Sequence, residues 1–160
     1  MDINISSGIG TGPTKLAAFD AALIAAGVAN YNLIRLSSVI PSKSKIIVYG
    51  NKPIKEVPGA WGDRLYVVMA ETRVDVKGVE AWAGIGWVQD KKTKKGLFVE
   101  HEGTSEGVVR SDIKKSLETL MLNRGVNFGP INMHIVGKKC SGSPICSLVV
   151  AVYKPESWSK

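Results

Sequence analysis

Four places in the chain carry side chains suited to bond-making chemistry. The first is Ser37-Ser38, set inside the mostly apolar run Leu33–Ile40 and closed by Pro41. Such a run favours extended strand. Serine competes for local backbone hydrogen bonds and favours turns, so the pair predicts a sharp bend between two strands. Composition alone reads it as a polar kink or bulge. The Ser38 hydroxyl could also attack the Ser37 carbonyl carbon, an N-to-O acyl shift that turns an amide into an ester. The second place is Glu100 with Glu102. Strand side chains alternate, so Phe98, Glu100 and Glu102 face one way and Leu97, Val99 and His101 the other. Two carboxylates on one face suit general acid work or mark an exposed strand end. The third is Asp20, which has no lysine or arginine three or four residues away. It is either a solvated boundary residue or a carboxylate aimed into a pocket, where it suits a guanidinium. The fourth is Asn32, either a strand-end residue or an amide donor to a developing oxyanion.

Other chemistries find little support. The two cysteines, Cys140 and Cys146, flank a Gly-Ser-Pro turn and form no CxxC pair, and His101 and His134 are the only histidines. No metal site is expected from that set, and reduced thiols are. The glycines at 8, 10 and 12 lack the spacing of a phosphate-cradling loop, so a flexible lead-in is expected there. The formal charge is +7. Its lysines form short clusters at Lys43/Lys45, Lys91–Lys95, Lys114/Lys115 and Lys138/Lys139, without interleaved aromatics. That reads as a solvated surface with no nucleic-acid partner. A cationic surface repels a cationic substrate, so an acidic pocket would have to attract one locally. No apolar run reaches the roughly 18 residues of a membrane span. The N-terminus lacks the basic and apolar regions of a secretory signal. A cytoplasmic location without membrane contact is the expectation.

The elements that must position these residues follow from patterning. At 160 residues, with 44% hydrophobic and 22% charged residues, the chain can bury one real core. A single domain over 1–160 is expected. Ile3–Ser6 predicts a short strand. Thr14–Ala26 predicts a helix stopped by Gly27, with Leu16, Phe19, Leu23 and Ala26 as its buried stripe. Further strands are expected at 45–49, 64–72, 80–89 and 96–101, the last two joined by a charged turn at 91–95. Arg64–Thr72 is apolar on both faces, which predicts a covered strand. A second helix starts at Thr104 or Ser105 and ends near Asn123, burying Val109, Ile113, Leu117, Leu120 and Met121. Strands at 131–136 and 145–153 close the chain, and the polar tail after Lys154 is expected to fray. Trp61, in the loop 51–62, is either a core plug or a pocket wall. This order predicts an α+β fold with a helix outside each of two stacked sheets.

Four stretches together resemble one known family. Leu33-Ile-Arg-Leu-Ser-Ser-Val-Ile-Pro41 looks like the self-cleavage segment of the pyruvoyl-dependent arginine decarboxylases. Leu16-Ala-Ala-Phe-Asp-Ala-Ala-Leu23, Asn32 and Gly96-Leu-Phe-Val-Glu-His-Glu-Gly103 match it in the same order. The resemblance implies a four-layer αββα sandwich assembled as a homotrimer. It implies cleavage between Ser37 and Ser38 into a β chain, 1–37, and an α chain, 38–160, with Ser38 becoming a covalent pyruvoyl group. It implies decarboxylation of L-arginine to agmatine and carbon dioxide. Ser38, Glu100 and Asn32 would then be catalytic, with Glu100 as proton donor. Asp20, Leu23 and Ser37 would bind substrate, Asp20 serving the pyruvoyl of a neighbouring chain. Ala29 and Tyr31 stand where the family pattern has glycine and a small aliphatic residue, so the pocket shape differs there. Pyruvoyl enzymes for aspartate or adenosylmethionine usually cleave after glycine or glutamate, and the histidine enzymes are longer. Two alternatives remain: a decarboxylase of another amino acid, and an uncleaved, non-catalytic trimeric homologue.

Overall fold

The computed structural model describes residues 1–55 and 57–158. Its elements are β1 (Asp2–Thr11), α1 (Lys15–Ala26), β2 (Asn32–Arg35), β3 (Val39–Ile40), β4 (Lys45–Gly50), β5 (Arg64–Val74), β6 (Glu80–Gln89), β7 (Gly96–Gly103), α2 (Glu106–Asn123), β8 (Asn132–Lys139) and β9 (Ile145–Glu156). Five strands form one sheet in the order β2-β5-β9-β1-β4, and four form a second in the order β3-β7-β6-β8. The sheets stack. Ile3, Ile5, Val68, Ala70, Val149 and Ala151 of the first meet Ala83, Ile85, Phe98 and Val136 of the second. Helix α1 covers the outer face of the five-stranded sheet. Helix α2 covers the outer face of the four-stranded sheet. The expected four-layer α+β sandwich is the one observed.

Several local expectations change. The Gly-rich stretch after Ser6 is strand, not flexible lead-in: β1 pairs with β9 as far as Thr11↔Ile145. Its glycines serve packing. A Cβ on Gly8 would collide with the Ala22 carbonyl, and one on Gly10 with the main chain of Ala18 and Ala22. A helix that approaches a strand so closely must present small residues. The buried face of α1 is therefore Ala18, Ala22 and Ala26 with Leu23, and Leu16 is 68% exposed rather than in the core. Thr14 caps the helix by accepting the Ala17 N–H, and Gly27 ends it at a left-handed φ of 84°. Helix α2 buries Val109, Ile113 and Leu117 as expected, while Leu120 and Met121 are only partly covered.

The chain end is held rather than frayed as far as Trp158. Strand β9 runs to Glu156, the Trp158 indole N–H donates to the Gly62 carbonyl at 2.9 Å, and the Arg64 guanidinium lies over the indole. Residues 159–160 of that expected tail lie outside the described residues, as does Glu56 of the loop 51–62. Trp61 is 83% exposed, so it plugs no core within this chain. Cys140 and Cys146 are both free and buried, and burial pushes the Cys146 thiol up to about 12. No helix among the described residues is long and apolar enough to cross a membrane.

The close seat of α1 makes a direct prediction. Gly10→Ala overpacks the helix–sheet contact and should cost about 1–3 kcal/mol. Denaturant unfolding of the variant against wild type measures it.

Candidate active site

The two strands flanking Ser37-Ser38 do not pair with each other. Strand β2 lies parallel to β5 in the first sheet, from Asn32↔Arg64 to Arg35↔Val67. Strand β3 lies antiparallel to β7 in the second, with Val39↔Leu97 and Ile40↔Gly96. Residues 36–38 therefore carry the chain across the gap between the sheets. Each bank anchors them. The Leu36 N–H donates to the Val67 carbonyl at 2.9 Å, and the Phe98 N–H donates to the Ser38 carbonyl at 2.8 Å. The expected bend is present, and its cause is a change of sheet.

The crossing forces an unusual backbone at Ser38, whose φ is 72°. A non-glycine residue in this left-handed region costs about 1–2 kcal/mol. The Ser38 Oγ sits 2.7 Å from both carboxylate oxygens of Glu100. A hydroxyl has one proton, so it donates to one of these oxygens at a time. Strand alternation supplies the geometry. Phe98 packs between the sheets and Glu100 follows on the same face, while Leu97 and Val99 pack under α2. On that other face the His101 Nε2 lies 2.8 Å from the Ser116 Oγ of α2.

Glu100 lies between two cavities. One, of about 580 Å³, lies beneath α2 and is lined by Ser37, Ser38, Glu100, His101, Lys115 and Arg124 among others. The other, of about 410 Å³, is lined by Arg35, Met69, Ala70, Glu100, His101 and Glu102. Glu102, on the same face of β7 as Glu100, is exposed and does not reach Ser38. Among the described residues no three His, Cys, Asp or Glu side chains converge as a metal ion would need.

The structure brings Ser37, Ser38 and Glu100 together. It does not bring Asn32, Asp20 or Leu23 to them within one chain. Asn32 starts β2, at the end away from the crossing, and its carboxamide donates to the Gly62 carbonyl. Asp20 is exposed on the outer side of α1. Leu23 is 8% exposed and packs inward against the first sheet, which makes it a core residue here. Ala29 and Tyr31 line a separate cavity of about 670 Å³ past the end of α1, and the Tyr31 hydroxyl donates to the Val57 carbonyl at 2.8 Å. Two groups at the site escape the sequence reading. The Phe98 N–H is a main-chain donor with no signature. Tyr153, whose hydroxyl reaches the Val39 carbonyl, carries only a weak one: a phenol on the inward register of an otherwise apolar strand.

A family model described as pyruvoyl-dependent arginine decarboxylase matches residues 2–156. The chain belongs to that family. A pyruvoyl-dependent arginine decarboxylase of Halobacterium salinarum is 42% identical over 100 residues, covering 61% of this chain and 58% of that protein. One from Thermococcus kodakarensis is 29% identical over 152 residues, covering 94% and 93%. One from Methanocaldococcus jannaschii is 37% identical over 103 residues, covering 63% and 58%. The matched part thus spans little more than half the length of the Halobacterium and Methanocaldococcus proteins. Among solved structures, a pyruvoyl-dependent histidine decarboxylase at pH 8 aligns with a TM-score of 0.45 and 14% identity, over 64% of this chain and 54% of that one.

The hydrogen bond between His101 and Ser116 ties α2 to β7 one residue from Glu100. Ser116→Ala removes it and leaves a half-buried imidazole nitrogen without its partner. The expected loss is about 0.5–1.5 kcal/mol, read from denaturant unfolding.

Proposed function

We propose that the chain cuts itself between Ser37 and Ser38, and that the mature protein decarboxylates L-arginine to agmatine and carbon dioxide. The observation that carries this reading is the Ser38 hydroxyl, on a strained left-handed backbone, donating to Glu100 at 2.7 Å. In this reading Glu100, 2.7 Å away, takes the hydroxyl proton as Ser38 Oγ attacks the Ser37 carbonyl carbon. The C–N bond then breaks, the nitrogen takes up a proton, and Ser37 is joined to Ser38 through an ester. Loss of the Ser38 α-proton expels Ser37 as a carboxylate and leaves dehydroalanine. Water then releases ammonia and leaves a ketone at position 38. Strain favours the forward step, because opening the crossing releases the left-handed φ.

The residues fit a pyruvoyl group at position 38. The Phe98 N–H already holds the Ser38 carbonyl, which survives the cut, and this leaves the new chain end beside Glu100. The group supplies an electron sink for the charge left on the substrate α-carbon when carbon dioxide departs. Glu100 then returns a proton to that carbon. Asn32 is the candidate donor to the oxyanion of the first attack, reached only if another copy of the chain or a rearrangement of β2 brings it near.

Selection of arginine needs a second carboxylate, since Glu100 is already engaged with the Ser38 hydroxyl and serves the chemistry. Among the described residues, the cavity beside Ser38 is lined by Lys115 and Arg124, with Glu100 as its one acid. Asp20 meanwhile lies on the outer side of α1 between Leu16, 68% exposed, and Ile24, 60% exposed, each four residues away. An apolar patch with a carboxylate at its centre suits burial against a second copy. We therefore read the active form as a homotrimer of cleaved protomers in which Asp20 of one copy pairs with the guanidinium of arginine bound at Ser38 of the next. In such an assembly the domain 1–160 is cut into 1–37 and 38–160 without falling apart, since β1 and β2 remain paired within the first sheet.

Intact-mass analysis tests the first step. Wild type should yield fragments 1–37 and 38–160, the larger without a free α-amine, and Ser38→Ala should stay whole. Wild type that is active but uncut would overturn the mechanism. Glu100→Gln should cleave slowly, because a glutamine cannot take the hydroxyl proton. Once cleaved it should release carbon dioxide at least about 100-fold more slowly, while Glu102→Gln keeps most of its rate.

Specificity is tested separately. Asp20→Asn should cleave normally and lose roughly 10- to 150-fold in arginine affinity, as removal of one charge-assisted pair worth about 1.5–3 kcal/mol implies. Steady-state rates on arginine, lysine, ornithine and histidine give the comparison, and equal rates on all four would exclude Asp20 as the selector.

A further inference from the structure

Strand β3 is two residues long and forms the edge of its sheet. Successive carbonyls along a strand point opposite ways in the plane of the sheet. The Ser38 carbonyl turns toward β7 and accepts the Phe98 N–H at 2.8 Å. The Val39 carbonyl turns to the open edge, where none of the described strands offers a donor. It is met instead from the other sheet: the Tyr153 hydroxyl of β9 donates to it at 3.0 Å.

Three features show that this tyrosine is placed for the contact. The first is a slip in strand register. Tyr66 of β5 faces Lys154 of β9, whereas Val67 faces Val152, so Tyr153 is the extra residue between them. Such bulges re-aim a side chain and bend the strand that carries them. Val67 is also the residue whose carbonyl holds Leu36 at the start of the crossing. The second is packing. Tyr153 is 9% exposed, its ring lies edge-on to Phe98 at 6.2 Å between centroids, and the Phe98 N–H in turn holds Ser38. The third is protonation. Burial, and then the nearby Glu100 charge, hold the phenol well above its ordinary range. It therefore stays a donor throughout the neutral range.

We propose that Tyr153 is a positioning residue for both reactions at Ser38: with the Phe98 N–H it grips two successive carbonyls from opposite sides and fixes the direction of the chain at position 38. Before the cut, these two anchors hold the C-terminal half of the strained crossing against which Oγ must attack. After the cut, residue 38 is a chain end. One anchor would let that end pivot, whereas two hold the new group facing Glu100. Tyr153 itself touches neither the hydroxyl of Ser38 nor any group that would hold the guanidinium. It acts through the main chain of Val39. The role rests on the self-cleavage reading above.

Tyr153→Phe keeps the ring against Phe98 and removes only the hydroxyl. Cleavage of the purified variant, followed by intact mass, should slow roughly 3- to 10-fold, the effect of one neutral hydrogen bond. The fully cleaved variant should show a similar fall in kcat with KM for arginine unchanged within about twofold, the pattern of a misplaced reacting group rather than weakened binding. Tyr66→Phe is the control. Its hydroxyl donates to Glu156 in the same region but away from Ser38, so that variant should cleave and turn over at the wild-type rate, whatever its melting temperature. Wild-type cleavage and kcat in Tyr153→Phe would overturn the role of Tyr153 alone. Equal slowing in both variants would reduce it to general stability. A wild-type protein that never cleaves would overturn the self-cleavage reading and this role with it.

Discussion

The structure turns on one constraint: the chain must change sheets between Arg35 and Val39. Stacked sheets lie about 10 Å apart, and three residues, Leu36 to Ser38, make the crossing. Both ends are tied to main-chain groups, Leu36 to Val67 and Ser38 to Phe98. With the ends fixed and the span short, the backbone has few solutions, and the one adopted puts Ser38 at a left-handed φ. That conformation costs on the order of 1–2 kcal/mol, and the two sheets, with their shared apolar core, hold it in place. The same crossing brings the Ser38 hydroxyl to Glu100, which only the fold makes its neighbour. The strain and the hydrogen bond to Glu100 thus arise from a single topological fact.

The outer layers have different duties. Helix α2 closes the second sheet with bulky residues, Val109, Ile113 and Leu117, and roofs the cavity beside Ser38. Helix α1 closes the first sheet with alanines, because Gly8 and Gly10 draw it onto the strand. Spending the small face inward leaves the large residues Leu16 and Ile24 outward, with Asp20 between them. A helix seated in this way turns an apolar patch with a carboxylate at its centre to solvent, on the opposite face from the one packed on the sheet. The cavity beside Ser38 shares the basic character of the chain, whose formal charge is +7: Lys115 and Arg124 line it with Glu100.

Much of this was legible in residue order. Glycine and proline punctuation, alternation in 64–72 and 96–101, and helical spacing in 105–123 mark the elements and the α+β class, because local periodicity reports which face is buried. The pairing of Phe98 with Glu100 on one face of β7, and of Leu97 with Val99 on the other, follows from alternation alone. The Ser-Ser pair, Asn32, Asp20 and Glu100 declare the family through their order and spacing. Where the reading went astray, a tertiary contact outweighed local pattern. The glycines of β1 looked like loop because their partner, the backbone of α1, is distant in pattern terms. Leu16 looked buried because helical periodicity cannot tell an alanine face pressed on a strand from a leucine face turned outward.

The sequence by itself determined the layers, which depend on residue type and short-range spacing, and singled out Ser38 and Glu100 through the chain's resemblance to its family. Only the tertiary structure decided that β2 and β3 lie in different sheets, that Ser38 is strained, and that Tyr153 reaches Val39 from the opposite sheet. Those facts depend on pairings between residues far apart in the chain, such as Val39 with Leu97 and Val67 with Val152. Long-range register is set by packing of the whole core and by a slip of one residue, and neither leaves a trace in local composition.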